Sequence, residues 1–160
     1  MYSHAEGNDT IALGTYSHAE GNDTIASGRG SHAEGFDTEA SNQNSHAEGR
    51  ETIASGAFSH AQGDNNFARG LGEHSGGIYG TDYTANGNLT DRLVNYGNGI
   101  GPSSRDDAFT IYRNGAVRFY RTTTSDITNT NKEGLLIYDS DDNNRPTIHN
   151  GTEWKGLASV

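Results

Sequence analysis

Histidine recurs at positions 4, 18, 32, 46, 60 and 74, always fourteen residues apart. Its neighbours recur with it. Ser3-His4-Ala5-Glu6-Gly7 returns unchanged at 17–21, 31–35 and 45–49, and as Ser59-His60-Ala61-Gln62-Gly63; an altered last copy reads Glu73-His74-Ser75-Gly76-Gly77. Thr stands at 10, 24, 38 and 52, and Ala at 12, 26, 40, 54 and 68. Gly closes the units at 14, 28, 56 and 70, with Asn42 the exception. These units carry no insertion, so each is one repeated structural step. A helical pair needs more than about thirty residues. Fourteen suit two strands of about five residues and two turns of about two. The expected coil is a strand Ser3–Gly7, a turn Asn8-Asp9, a strand Thr10–Gly14 and a turn Thr15-Tyr16, because Gly, Asn and Asp tolerate positive φ. Six coils spaced about 4.8 Å apart make a rod about 25–30 Å long.

Alternation along each strand sorts the faces. Ser3, Ala5 and Gly7 point one way, His4 and Glu6 the other; Thr10, Ala12 and Gly14 share a face, and Ile11 and Leu13 oppose it. The small set is expected inside. This resolves a conflict with composition. Leu, Ile, Val and Phe number only 24 of 160, and the net charge is −10, which alone predicts disorder. A flat roll of small residues avoids that outcome, because stacked backbone ladders and neighbouring coils stabilise one another in place of a large apolar core.

Charge and cysteine usage exclude several classes. Residues 1–78 carry −8 of the net charge and no clustered cations, so nucleic acid is not an expected partner. There is no Cys, hence no disulfide framework or thiolate metal site. No apolar run reaches 18 residues, so no helical membrane insertion is expected, and no charged-then-apolar leader opens the chain.

The unit Ser-His-Ala-Glu-Gly, two residues, Thr-x-Ala-x-Gly, two residues, resembles the head repeat of trimeric autotransporter adhesins, the YadA-like head, which also occurs in phage tail fibres. The resemblance covers residues 3–77. It implies an all-β chain, a left-handed parallel β-roll and an intertwined homotrimer. The family often has Val and Ile where this chain has His4 and Glu6. Residues 86–119 and 134–157 resemble segments that follow such heads in tail fibres, notably Gly134-Leu-Leu-Ile-Tyr-Asp139 with Asn150-Gly-Thr-Glu-Trp154.

Beyond residue 78 the period is lost. We divide the chain into a roll (1–78), a β-hairpin segment (79–118) and a C-terminal β cap (119–160). Phe109–Phe119 alternates apolar residues around Asn114-Gly115, the signature of a type I′ hairpin. Leu135–Tyr138 reads as a strand, Thr122–Thr130 as an extended connector, and Asn150-Gly151 as a second turn between Pro146–Ile148 and Trp154. A small β-hairpin cap is expected to cover the open end of the roll.

Two faces compete for the subunit interface. One carries His4, His18, His32, His46, His60 and His74 with Glu6, Glu20, Glu34 and Glu48. The other carries Ile11, Ile25, Glu39, Ile53 and Phe67. The His and Glu columns vary less from coil to coil, which favours them as an interface ladder. Imidazole and carboxylate are metal ligands, but a strict period stacks any column, so stacking alone assigns no metal. Asp139, Asp141 and Asn143 have the alternate oxygens of a calcium loop but lack its Gly and terminal Glu, and read as a solvated turn. Four Asn-x-Ser/Thr sequons, at Asn8, Asn22, Asn88 and Asn150, read as chance. No cofactor is called for. Ser and His recur as strand neighbours facing opposite sides, which is unfit for a nucleophile and its base, so no enzymatic activity is expected. Tyr112, Tyr120, Tyr138 and Trp154 are either a receptor-contacting surface or the core of the cap. The expectation is a trimeric tail-fibre or tail-tip protein on a virion, or a cell-surface adhesin head, or a non-binding spacer. Its partners would be copies of itself, a neighbouring fibre or baseplate protein, and a cell-surface glycan or protein receptor.

Overall fold

The computed structural model describes residues 2–119, 121–122, 136–139, 145–149 and 152–156. The chain forms two compact units, Met1–Arg118 and Phe119–Val160. All regular structure among the described residues is β.

In the first unit His4–Asn8 (β1) is followed by Ile11–Ala12 (β2). The pair returns as His18–Asn22 (β3) with Ile25–Ala26 (β4), His32–Phe36 (β5) with Glu39–Ala40 (β6), His46–Arg50 (β7) with Ile53–Ala54 (β8), and His60–Asp64 (β9) with Phe67–Ala68 (β10). His74–Ile78 (β11) ends the series. Long strands pair in parallel with long strands, residue i opposite residue i+14. Short strands do the same in a second sheet. The chain is therefore a parallel β-solenoid of fourteen-residue coils.

Its core contains no large apolar side chain. Ala19, Ala26, Ala33, Ala40, Ala47, Ala54, Ala61 and Ala68 are fully buried, and Ser17, Thr24 and their repeats lie beside them. The expected inward set of Ser, Ala and Thr is thus in place. The hydroxyls of Ser17, Ser31, Ser45 and Ser59 each donate to the carbonyl three residues earlier, as Ser17 does to Gly14 at 2.7 Å and Ser59 to Gly56 at 2.7 Å. These bonds close the turn and pair those four hydroxyls, whereas the buried hydroxyls of Thr24, Thr38 and Ser75 have no partner.

Two details depart from the expected coil. The second strand is two residues long, not five. The N–H groups of Leu13 and Gly14 share the carbonyl of Ala26, so the ladder ends there as the chain turns. Gly7 and its repeats at 21, 35 and 49 do not face inward but are exposed. They hold φ between +107° and +129°, and a Cβ on any of them would lie 2.0–2.1 Å from the carbonyl oxygen of the next coil. Only glycine fits such a bend beneath a neighbouring strand.

After the roll, Arg92–Asn98 (β12) pairs in parallel with β11, Asp107–Tyr112 (β13) pairs antiparallel with β12, and Val117–Phe119 (β14) completes the nine-stranded sheet. The segment after residue 78 therefore covers the free edge of β11. The hairpin turn differs from the expected type I′. Gly115 has φ +83° while Asn114 is not in the left-handed region, and Gly115 N–H bonds the Tyr112 carbonyl at 2.9 Å. That is a type I turn followed by a glycine bulge.

The interior of this cap is polar. Arg92 donates to the Thr81 carbonyl at 2.7 Å and lies 3.6 Å from Asp107. Asp107 accepts from Thr81 N–H and Asn95, both at 2.8 Å, and Thr110 donates to Asn95 at 2.8 Å.

The altered last coil acts as an end piece. Asn66 stands where earlier coils have Thr. It is fully buried, donates to the carbonyls of Gln62 (2.8 Å) and Gly77 (2.6 Å), and accepts from Gly80 N–H (2.9 Å). Glu73 replaces the serine. It accepts from the N–H groups of Arg69 (2.8 Å) and Gly70 (2.6 Å) and from the Tyr83 hydroxyl (2.9 Å). Burial raises its pKa against the pull of these bonds.

In the second unit Arg121–Thr122 (β15), Leu136–Asp139 (β16), Arg145–His149 (β17) and Trp154–Gly156 (β18) form a four-stranded sheet in that order. β15 pairs in parallel with β16, and the other pairs are antiparallel. Tyr120, Asp141, Asn143, the Asn150-Gly151 turn and residues 123–130 of the expected connector lie outside the described residues.

Candidate functional site

The parallel, in-register long strands carry the histidines and glutamates to one outer face. The rings of His18, His32, His46 and His60 stack with centroids 4.7–4.8 Å apart and planes within 7° of parallel. That spacing is the strand spacing itself. The ends of the column tilt: His4 lies at 33° to His18, and His74 stands edge-on to His60.

Two of the carboxylates lean toward the histidine of the following coil. Glu34 Oε1 lies 3.3 Å from His46 Nε2, and Glu48 Oε1 lies 3.1 Å from His60 Nε2. Glu20 sits between His18 and His32 at 3.9 and 4.0 Å, too far for a hydrogen bond. Gln62 continues the column, with Nε2 3.3 Å from His74 Nε2. The Nε2 atoms of His18 and His32 are shielded from solvent and have no hydrogen-bond partner. The side chains of these pairs keep between 32% and 41% of their exposure, so the face is neither core nor free surface.

The ladder runs on into the cap. His74 meets Tyr96 with centroids 5.8 Å apart, and Tyr96 stacks on Phe109 at 5.4 Å. Sequence reasoning missed these two residues because Tyr96 follows His74 by 22 residues rather than 14. The available signal was the alternation of Val94 and Tyr96, which continues the outer face across β12.

The opposite outer column holds Ile11, Ile25, Glu39, Ile53 and Phe67 in register. At its C-terminal end the guanidinium groups of Arg69 and Arg105 lie 4.8 and 4.6 Å from the centre of the Phe67 ring. Three of the four aromatic residues considered for receptor contact lie on described strands. Tyr112 is half-buried at the end of β13 in the first unit. Tyr138 lies on β16 opposite Pro146, and Trp154 on β18 opposite His149, both in the second unit.

Residues 5–31 and 47–65 match the YadA head domain repeat, in two copies. Over those residues the roll is similar to YadA head repeats. Both matches lie within β1–β10 and take in members of the His and Glu columns described above. No curated protein and no solved structure matches the chain.

Burial, and then repulsion from neighbouring histidines, lowers the pKa of His32 and His60. A histidine whose pKa is lower folded than unfolded favours the fold while neutral. That contribution is complete above the unfolded value of about 6.5 and is lost as pH falls from there through the lowered folded values. Glu73 has the opposite sign, since its raised pKa favours the fold on the acid side. Thermal melts followed by circular dichroism should therefore show a falling midpoint between about pH 7.5 and pH 5.5. A His32→Gln/His60→Gln variant should flatten that fall. An unchanged slope in the variant would remove the ladder as its source.

Proposed function

We propose that this chain is the head module of a homotrimeric extracellular attachment fibre, with the His/Glu face turned toward its sister subunits. The observation that carries this reading is the ladder. The stacked rings of His18, His32, His46 and His60 and the carboxylates beside them are only half-covered, and two of the ring nitrogens are shielded yet unpaired. A second chain on this face would complete that burial and supply partners, by the ordinary logic of buried polar groups. YadA-like adhesin heads are extracellular or cell-surface modules.

Two settings are compatible with such a head, both for attachment to a cell-surface glycan or protein receptor. The match to the YadA head repeat supports the head of a surface adhesin. The likeness of residues 134–157 to segments of tail fibres supports a phage tail-fibre or tail-tip protein, joined to a neighbouring fibre or baseplate protein. In both, the role is binding and support rather than catalysis.

Sedimentation in dilute solution tests the assembly. The expected mass is three times that of the 17.1 kDa chain. A single-chain mass would sink the trimer and leave a spacer that stacks within a larger particle. Arginine placed on each face in turn, as Glu34→Arg or Ile25→Arg, separates the two candidate interfaces. Only Glu34→Arg should dissociate the trimer, because it removes the partner of His46 and places a bulky cation in the face proposed for subunit contact.

A further inference from the structure

We propose that the centre of the ladder is a binding site for a divalent first-row transition-metal ion, held by histidines of successive coils and the glutamate between them. Two trios qualify: His32, Glu34 and His46, and His46, Glu48 and His60. In each, one ligand atom per residue lies within 4.8 Å of the other two. An ion bound at about 2.0–2.2 Å by nitrogen and oxygen in a tetrahedron holds its ligands about 3.3–3.5 Å apart. Glu34 and His46, at 3.3 Å, already have that spacing, and Glu48 and His60, at 3.1 Å, are close to it.

Hydrogen bonding accounts for only part of this arrangement. One His–Glu bond per carboxylate satisfies His46 and His60, yet leaves His32 Nε2 without solvent or partner. A cation at the first trio would engage that nitrogen, Glu34 and His46 together. The ligand set is imidazole and carboxylate with no thiolate, which suits zinc, cobalt, nickel or copper in the divalent state rather than calcium or magnesium. The stacked rings lie within 5° of parallel, so one ring of each pair must rotate to bring its in-plane lone pair onto the ion. Both trios use His46, so they compete, and one chain takes about one ion across them when His46 ligates through a single nitrogen. The site lies on the face proposed for subunit contact, but all its ligands come from one chain.

Cobalt(II) is the probe, because a protein-bound tetrahedral ion has intense visible d–d absorption where the octahedral aqueous ion absorbs only weakly. The full chain at neutral pH should take up cobalt(II) saturably, with about one ion per chain, and zinc should displace it, in keeping with the usual affinity order. His46→Gln removes the shared ligand. Loss of an outer-shell partner weakens metal binding about 10–100-fold, so loss of this direct ligand should cost at least that. Circular dichroism melts establish that the variant is folded. Should it not fold, Glu34→Gln/Glu48→Gln removes both carboxylates with near-isosteric side chains, and must weaken binding at least tenfold by the same standard. His149→Gln, outside the ladder, should bind like the parent. The proposal is overturned if the parent chain gains no intense d–d absorption, or if folded ladder variants bind cobalt(II) as the parent does.

Discussion

Gly49→Ala should destabilise the roll by about 3–5 kcal/mol, a large part of the roughly 5–15 kcal/mol that holds a typical domain together. Two effects combine. Gly49 holds φ +107°, where an L side chain is strained by about 1–3 kcal/mol. Its added methyl would also lie 2.1 Å from the carbonyl oxygen of Gly63 and 3.0 Å from that residue's nitrogen. Those atoms are backbone of the next coil, so relief requires the coils to part. Parting them weakens neighbouring ladder bonds worth about 0.5–1.5 kcal/mol each. Gly72→Ala is the control. Gly72 also has positive φ, +67°, but nothing lies within 4 Å of the position its Cβ would take. It should lose only about 1–2 kcal/mol. Urea melts of both variants measure the difference. Equal losses would mean that backbone strain, and not coil stacking, sets the requirement for glycine.

The second large effect is expected where the roll ends. Asn66→Ala should cost about 3–5 kcal/mol, because it removes two donated bonds and one accepted bond in a site with no solvent access, and each buried group left unpaired costs about 1–3 kcal/mol. Thr52→Ala changes the same column one coil earlier. Thr52 makes one bond, to the Glu48 carbonyl at 3.2 Å, so its loss should be about 1 kcal/mol. The two melts together test whether the last coil is a dedicated end piece. Similar losses would make Asn66 one more ladder residue.

These positions also show what periodicity can and cannot reveal. A column that repeats is legible because every copy has the same surroundings. The buried Ser, Ala and Thr columns and the outward His and Glu columns follow from alternation alone. Glu73 and Asn66 look like decay of the repeat. They are residues whose neighbour on one side is no longer a coil, and their partners Gly80, Tyr83 and Gly77 come from chain beyond or at the end of the repeat. The aromatic cap core considered from sequence has a polar counterpart after β11. Arg92, Asn95, Asp107 and Thr110 were not singled out, because a buried polar network depends on pairings across strands of unrelated sequence.

The candidate site divides in the same way. That His and Glu form columns is a property of the sequence. That Glu34 and Glu48 lean forward to the next coil's histidine, while His18 and His32 keep unpaired shielded nitrogens, is not, since identical units would be expected to behave identically.

The sequence by itself determined the fourteen-residue coil, its small inward residues and its continuous outer columns, because a strict period leaves every coil the same local solution. Tertiary structure alone decided where the second strand stops, why Gly7 and its repeats are indispensable, and how the last coil closes. Each of those depends on what the neighbouring coil or the cap places within a few ångströms, and contact distance is not written in a repeat.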